Sequence, residues 1–161
     1  MRTFLFFSFF VTVLLLSGCG GGTNQPADMP KLVPVSITIV QEGAALEGAS
    51  VTLEAKTPSK YGTASGTTNA SGVVKPRTSG FDGVPDGEYT VKVDKLVVEG
   101  AKEVALYEGE TPSLVGGTRY RVVDAKFSGA SSGLSITVSG KSVNETFDVG
   151  AAVRISQGSN E

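Results

Sequence analysis

The chain has no histidine, no tryptophan and a single cysteine among its 161 residues. Without histidine, Ser-His-Asp hydrolysis and the usual zinc sites are excluded, and the side chain best suited to proton transfer near neutral pH is missing. One cysteine cannot form an intramolecular disulfide. An enzyme built from this sequence would depend on carboxylates, lysine, tyrosine or serine alone. We therefore predict a protein without catalytic activity, cofactor or metal.

A strong excess of charge is also absent. The sequence has 14 lysine and arginine residues against 16 aspartate and glutamate residues, for a formal net charge of −2. No basic run occurs along the chain. This balance argues against nucleic acid or an anionic lipid surface as a binding partner.

The long hydrophobic run of a membrane-spanning helix is missing as well. The apolar run from Phe4 to Leu16 follows Arg2 and would reach roughly 20 Å as a helix, short of the ~30 Å hydrocarbon core of a membrane. It ends at Leu16-Ser17-Gly18-Cys19, which resembles a bacterial lipobox, in which small residues precede a cysteine that is acylated and then becomes the N-terminus. An uncleaved anchor with a chance cysteine is the alternative.

The lipobox predicts the organisation of the first 34 residues. Residues 1–18 are expected to be a cleaved lipoprotein signal peptide, and Cys19 is the expected lipidation site. Two or three acyl chains, at about 0.8 kcal/mol per buried CH₂, would anchor the exported protein at a membrane. The residue after the cysteine is Gly20, whereas lipoproteins retained at the inner membrane often have an acidic residue there. We therefore expect the protein at the outer membrane of the cell envelope. Glycine and proline in residues 20–34 predict a flexible tether, giving a lipidated linker over 19–34.

Beyond the tether, apolar and polar residues alternate. Such alternation places one face of a strand in a core and the other in water. Turn-forming pairs such as Asp82-Gly83 and Asp86-Gly87 separate the alternating segments. We predict one all-β domain over residues 35–150, an antiparallel immunoglobulin-like sandwich of about seven strands, followed by a tail over 151–161. The alternating segments are Val35–Val40, Val51–Glu54, Tyr89–Asp94, Leu134–Ser139 and Phe147–Val149.

Three motifs resemble those of the carboxypeptidase-regulatory-like (transthyretin-like) domains, in the same order. They are GAALEGASVTL over residues 43–53, TNASGV over 68–73 and VPDGEYTVKV over 84–93. The resemblance spans roughly residues 35–149, but residues 99–118 are longer and richer in glutamate than a simple hairpin connection. It implies a transthyretin-like sandwich that serves as an accessory or binding module. Because this fold is grouped with carbohydrate-binding-like sandwiches, the resemblance also implies contact with glycans.

Candidate ligand-binding residues cluster around Arg119-Tyr120-Arg121. Alternation places the two guanidinium groups on one face of a strand and Tyr120 on the other. With Tyr61 and Tyr107 on predicted loops, these side chains could form a platform for polysaccharide, since aromatic rings and arginine suit sugars and acidic glycans. The simpler interpretation is a solvent-facing strand with Tyr120 in the core.

Two groups of acidic residues have both a functional and a simpler interpretation. Asp82 and Asp86 could bind a hard cation such as Ca²⁺, but Asp-Gly pairs are ordinary turn chemistry. A pair of glutamates could act as acid and base in a hydrolase, whereas a solvated charged surface explains them equally simply. We favour the simpler interpretation for both groups. The glutamates are Glu99, Glu103, Glu108 and Glu110.

Three functions remain as hypotheses. The first is a binding, adhesion or scaffolding module that contacts carbohydrate, which should expose tyrosine beside Arg119 or Arg121. The second is a structural spacer or envelope-assembly subunit that recognises another protein, which should expose an edge strand or an apolar patch. The third, more remote, is a carboxylate-based hydrolase, which needs two converging carboxylates in a pocket.

Overall fold

The computed structural model describes residues 25–104, residue 107 and residues 113–159. Cys19, the predicted signal peptide, Glu108 and Glu110 lie outside these residues. The first strands are β1 (Leu32–Val33), β2 (Val35–Gln41), β3 (Ala44–Ala45), β4 (Ser50–Ala55), β5 (Thr63–Thr67), β6 (Val73–Val74), β7 (Arg77–Thr78), β8 (Phe81–Asp82) and β9 (Val84–Pro85). The later strands are β10 (Gly87–Asp94), β11 (Leu96–Glu99), β12 (Lys102–Val104), β13 (Ser113–Val115), β14 (Thr118–Arg121), β15 (Ser135–Val138), β16 (Val143–Asp148) and β17 (Ile155–Ser159). A 3₁₀ turn spans Ala125–Ser128, and the described residues contain no helix that is long and apolar enough to cross a membrane.

Two sheets enclose the core. The first has the order β15-β10-β4-β5-β7-β8, and the second has the order β16-β2-β3, with β6 also paired to β2. Alternate residues of β2, β4 and β10 point into the core, so that Ile37, Leu53 and Val91 are fully buried. The segments predicted from alternation match β2, β4, β10 and β15 to within two residues, whereas Phe147–Val149 covers only the last two residues of β16. The all-β sandwich is therefore confirmed.

One ladder of the sandwich is parallel rather than antiparallel. β16 pairs with β2 in parallel, with Val143 opposite Val35 and Asp148 opposite Val40. β15 lies at the edge of the first sheet and ends, at Val138, opposite the first residue of β10. A short turn then carries the chain across to the second sheet, at the end where β2 also begins. β16 therefore starts at the same end as β2 and runs in the same direction, which makes this ladder parallel.

The N-terminal segment packs on the sandwich. We call the end where β2 and β10 begin the near end, and the end where they finish the far end. At the near end β1 pairs with β9, and Met29 and Val33 are buried. Gly83, at φ +108°, allows this approach, because a Cβ there would lie 2.8 Å from the Val33 carbonyl oxygen. The predicted flexible tether, residues 19–34, is therefore wrong for its last residues, because isolated apolar side chains between prolines carry no period that the sequence could reveal.

At the far end the chain forms a bent hairpin, which we call the arm (residues 96–121). β11 pairs with β14, and beyond a bend at Gly100 and Gly116-Gly117, β12 pairs with β13. Gly117, at φ +87°, is required at the bend, since a Cβ there would lie 2.8 Å from the Ala101 nitrogen. β17, which lies within the predicted tail of residues 151–161, adds to β14. The arm and β17 thus form a small sheet of order β11-β14-β17.

Candidate functional site

The predicted Arg119-Tyr120-Arg121 motif lies on β14, the central strand of this small sheet. Residues paired across strands share a face, and so do residues two apart along a strand. The two guanidinium groups therefore lie on one face, the outer face, and Tyr120 lies on the inner face with Val97, as the alternation predicts. The outer face consists of Leu96, Val98, Arg119, Arg121 and Ile155.

The two arginines of the outer face differ in their surroundings. The Nε atom of Arg121 lies 3.0 Å from Oδ1 of Asp94, the last residue of β10, and both side chains are largely buried. Its Nη2 atom donates to Oδ2 of the same carboxylate at 3.5 Å. Arg121 thus ties the arm to the first sheet. Arg119 is exposed, and no carboxylate pairs with it in the described part of the chain. Arg119 alone is available to a ligand.

Arg154 covers the ring of Tyr120. Its guanidinium carbon lies 4.0 Å from the ring centroid. The two Nη atoms donate to the Oε atoms of Glu99 at 2.8 and 2.5 Å, and these hydrogen bonds raise the pKa of Arg154 further above its ordinary value. The ring face that a sugar would stack on is therefore occupied, and Glu99 is committed to an ion pair. Tyr120 was expected to be free in the glycan hypothesis, but it is covered.

Tyr61 lies at the near end, far from the arm. It is only 8% exposed, and its hydroxyl donates to Oδ1 of Asp28 at 2.8 Å. Lys60 donates to the other oxygen of Asp28 at 2.5 Å and lies 5.0 Å above the Tyr61 ring. The Tyr61 loop is level with Tyr89, so five residue steps of β10, roughly 17 Å, separate this cluster from Asp94, the partner of Arg121. The predicted platform of Tyr61 with the arginines is wrong, because the two lie at opposite ends of the same sheet.

Asp28→Asn is expected to lower the stability of the chain at neutral pH and to make that stability less sensitive to acid. The hydrogen bond from Lys60, and then that from Tyr61, lowers the pKa of Asp28 below its ordinary 3.8. The ionised carboxylate therefore stabilises the fold above pH 3.8, and this contribution disappears as the pH falls through the lowered pKa. Urea midpoints at neutral and acid pH measure it, and Lys60→Met should reproduce most of the effect. Equal acid losses in all three proteins would contradict this assignment.

Tyr107 is the one candidate tyrosine that is strongly exposed. Its side chain, near the tip of the arm, is 77% exposed. Residues 105, 106 and 108–112 lie outside the described residues, so the tip itself is not placed. Of the three tyrosines proposed for a platform, the structure therefore leaves only Tyr107 open to a ligand.

The acidic candidates do not converge. Asp82 pairs with Arg77 of the same hairpin at 2.9 Å, and Asp86 accepts from the Gly140 amide at 2.6 Å, which ties the turn before β10 to the turn after β15. Among the described residues, no group of three or more acidic, histidine or cysteine side chains could hold a metal ion. Glu103 is exposed on β12, whereas Glu108 and Glu110 lie outside the described residues. The geometry therefore supports turn chemistry for the aspartates.

Comparison with known proteins gives no indication of function. The chain matches no protein-family model and no curated protein. The resemblance to carboxypeptidase-regulatory-like domains stays a prediction that rests on the three motifs. The residues of the arm must therefore carry any functional conclusion.

The most distinctive feature of the arm is an apolar surface that the sequence analysis missed. Among the described residues, six large apolar or tyrosine side chains are more than a third exposed. All six lie on the arm or on the neighbouring β17. The only signal in the sequence was the change from polar Thr90, Lys92 and Asp94 to apolar Leu96 and Val98 at the outward positions. We call the following set the apolar surface: Leu96 (49% exposed), Val98 (45%), Val104 (37%), Tyr107 (77%), Val115 (56%) and Ile155 (45%).

Proposed function

We propose that this chain is a membrane-tethered module of the bacterial cell envelope that recognises another protein through the apolar surface of its arm. The observation that carries the proposal is that the exposed large apolar side chains of the described residues all belong to the arm and the adjoining β17. Single exposed apolar residues are normal on any protein, whereas a contiguous exposed patch marks an interaction site. The rest of the described surface supplies no comparable group.

The position of the anchor supports a protein rather than a lipid as the partner of the arm. The predicted lipidation site, Cys19, precedes Gln25, the first described residue, by six residues. Six residues span at most about 20 Å when fully extended, so lipidation would hold the near end close to the membrane. The arm lies at the far end of the sandwich. A tethered domain would therefore present its apolar surface away from its own membrane.

The glycan and hydrolase hypotheses find less support. Glycan binding was expected to use exposed tyrosines beside arginine, but Tyr61 is buried at the near end and Tyr120 lies under Arg154. Arg121 is held by Asp94. The carboxylate of Glu99 is paired, and no second described carboxylate faces it across a pocket. We therefore place protein recognition first.

A photo-crosslinking amino acid at Val98 tests the proposal in the full chain, expressed in its own bacterium. We expect illumination to give a discrete adduct with one envelope protein. A second substitution, Leu96→Asp, beside Val98 on the same face of β11, should lower the adduct yield about tenfold, since a central contact contributes on the order of 1.4–2 kcal/mol. The matched control carries the crosslinker at Thr137, which is also exposed, on β15, but lies outside the arm.

Two results would contradict the proposal. One is an equal adduct from Val98 and Thr137, which would indicate chance collision. The other is no protein adduct from Val98, combined with saturable retention on envelope polysaccharide that Tyr107→Ala and Arg119→Ala abolish. That second result would instead establish the glycan-binding function.

A further inference from the structure

We infer that the partner contributes an extended segment, with aliphatic and acidic side chains at successive positions of one face, and that this segment adds as a new strand to the open edge of β11. This inference rests on the proposed function, because it names how the arm recognises a protein and by what chemistry. It follows from three observations: an unpaired strand edge, the small size of the apolar surface and an uncompensated positive charge on the outer face.

β11 has one strand neighbour and one open edge. In the small sheet it pairs with β14 on one side, and no other described strand pairs with it. Outside that ladder, no backbone hydrogen bond in the described residues involves residues 96–99. Alternate amide and carbonyl groups of an antiparallel edge strand point outward, so the edge offers donors and acceptors to a further strand.

β11 has few of the features that normally protect an edge. Natural edge strands carry charged side chains, above all lysine, or proline or a bulge, which prevent pairing with another chain. β11 has the sequence Leu-Val-Val-Glu, without proline or lysine, and the carboxylate of its one charged residue, Glu99, is paired with Arg154. The opposite edge of the small sheet, β17, has a register shift against β14 between Thr118 and Tyr120. Of the two edges, β11 is the regular one.

The size of the apolar surface favours an extended segment over a globular partner. Six side chains that are 37–77% exposed amount to a patch of a few hundred Å². A standard interface between folded proteins buries about 800 Å² on each side. Strand addition compensates for a small patch, because main-chain hydrogen bonds supply affinity while alternate side chains supply specificity.

The positive charge of the outer face indicates that the added segment contains acidic residues. Arg119 lies opposite Val98 and is exposed without an ion pair among the described residues. An added strand would lie about 10 Å, or two strand spacings, from β14, a gap that an extended arginine and an extended glutamate span together. On the outer face, an aliphatic residue of the segment would cover Leu96, and a carboxylate two residues away, opposite Val98, would reach Arg119. The segment therefore carries both residue types on one face, at positions two residues apart.

The same charge argues against a second copy of this chain. Two β11 strands paired edge to edge would bring two outer faces together, each with an unpaired Arg119. The nearest described carboxylates of the sheet, Glu99 and Asp94, are already paired with Arg154 and Arg121. Neither copy could therefore offer the other a matching negative charge.

Fluorescence anisotropy with the full chain in mild detergent tests the inference. The probe is a labelled synthetic peptide in which valine and glutamate take turns at every second position, with threonine at the positions between them, so that both types share one face of the extended peptide. We expect saturable binding that is at least about tenfold weaker for the same peptide with lysine in place of glutamate. Arg119→Glu should reverse this preference, whereas the control Lys75→Glu, an exposed lysine on another face, should not. N-methylation of the amides along one edge of the peptide should also weaken binding at least tenfold, because it removes the main-chain donors.

The outcomes separate the two proposals. If the acidic peptide fails to bind, binds no better than the basic one, or tolerates N-methylation, strand addition is wrong. The Val98 crosslink to an envelope protein would still support protein recognition in that case, and its absence would remove both. A dimer that forms with increasing concentration and is lost with the crosslinker at Val98 would assign the edge to a second copy and overturn the inference.

Discussion

Replacement of Tyr89 by alanine is expected to lower the free energy of unfolding by about 3–5 kcal/mol. Tyr89 lies on β10 between β4 and β15, and it is among the largest fully buried side chains of the core. Its hydroxyl donates to the Pro85 carbonyl at 2.9 Å, across the turn that leads into β10. Removing the ring leaves a cavity and frees this turn. Urea unfolding of the full chain, followed by circular dichroism, measures the loss.

Tyr89→Phe separates the ring from the hydroxyl. It keeps the packing and removes one hydrogen bond, so we expect a loss of about 0.5–1.5 kcal/mol. Burial raises the pKa of Tyr89 above 10.0, in keeping with a hydroxyl that stays protonated as a donor. If the alanine variant unfolds at the same urea concentration as the natural chain, Tyr89 is not a core residue and the fold as described is incorrect.

Thr68→Val is expected to cost about 2–5 kcal/mol, although it hardly changes the volume of the side chain. The hydroxyl of Thr68 is buried, accepts from the Ala49 amide at 2.8 Å and donates to the Leu46 carbonyl at 2.6 Å. Valine leaves both buried groups without this partner, at about 1–3 kcal/mol each. The free energy of unfolding in urea measures the effect.

Thr78→Val is the matched control for this substitution. Thr78 is also fully buried, but its hydroxyl makes a single hydrogen bond, to the Gly83 carbonyl at 2.8 Å. We expect about half the loss found for Thr68. A larger loss at Thr78 than at Thr68 would show that the loop entering β4 is not organised by the Thr68 hydroxyl.

The strands that the sequence predicted are those long enough to show a period. β2 and β10, with seven and eight residues, alternate clearly and were located to within a few residues. β1 has two residues, which is too short for any period, so the packing of Val33 was not foreseen. In the arm, Leu96-Val97-Val98 breaks the alternation because both faces of β11 are apolar. β17, with the sequence Ile-Ser-Gln-Gly-Ser, has too few apolar residues to be distinguished from a tail.

For the candidate site, the sequence predicted only the arrangement of residues along a single strand. Alternation correctly placed Arg119 and Arg121 on one face, since a strand fixes that relation by itself. It could not place Tyr61, because nothing in the spacing of two strands shows which end of a sheet a connecting loop occupies. The cover over Tyr120 comes from Arg154, whose position follows from the pairing of β17 with β14. Such long-range pairing has no local signature.

The parallel ladder between β2 and β16 has a consequence for how the domain folds. It joins Val35 to Val143, close to the two ends of the domain, so the second sheet cannot close until nearly the whole chain has been made. Contacts between residues so distant in sequence are slow to form, because the long intervening segment must first be ordered. During synthesis, β2 is made long before β16, the strand with which it pairs in parallel. We expect refolding in seconds rather than microseconds, and a nascent chain that stays dependent on chaperones until β16 is available.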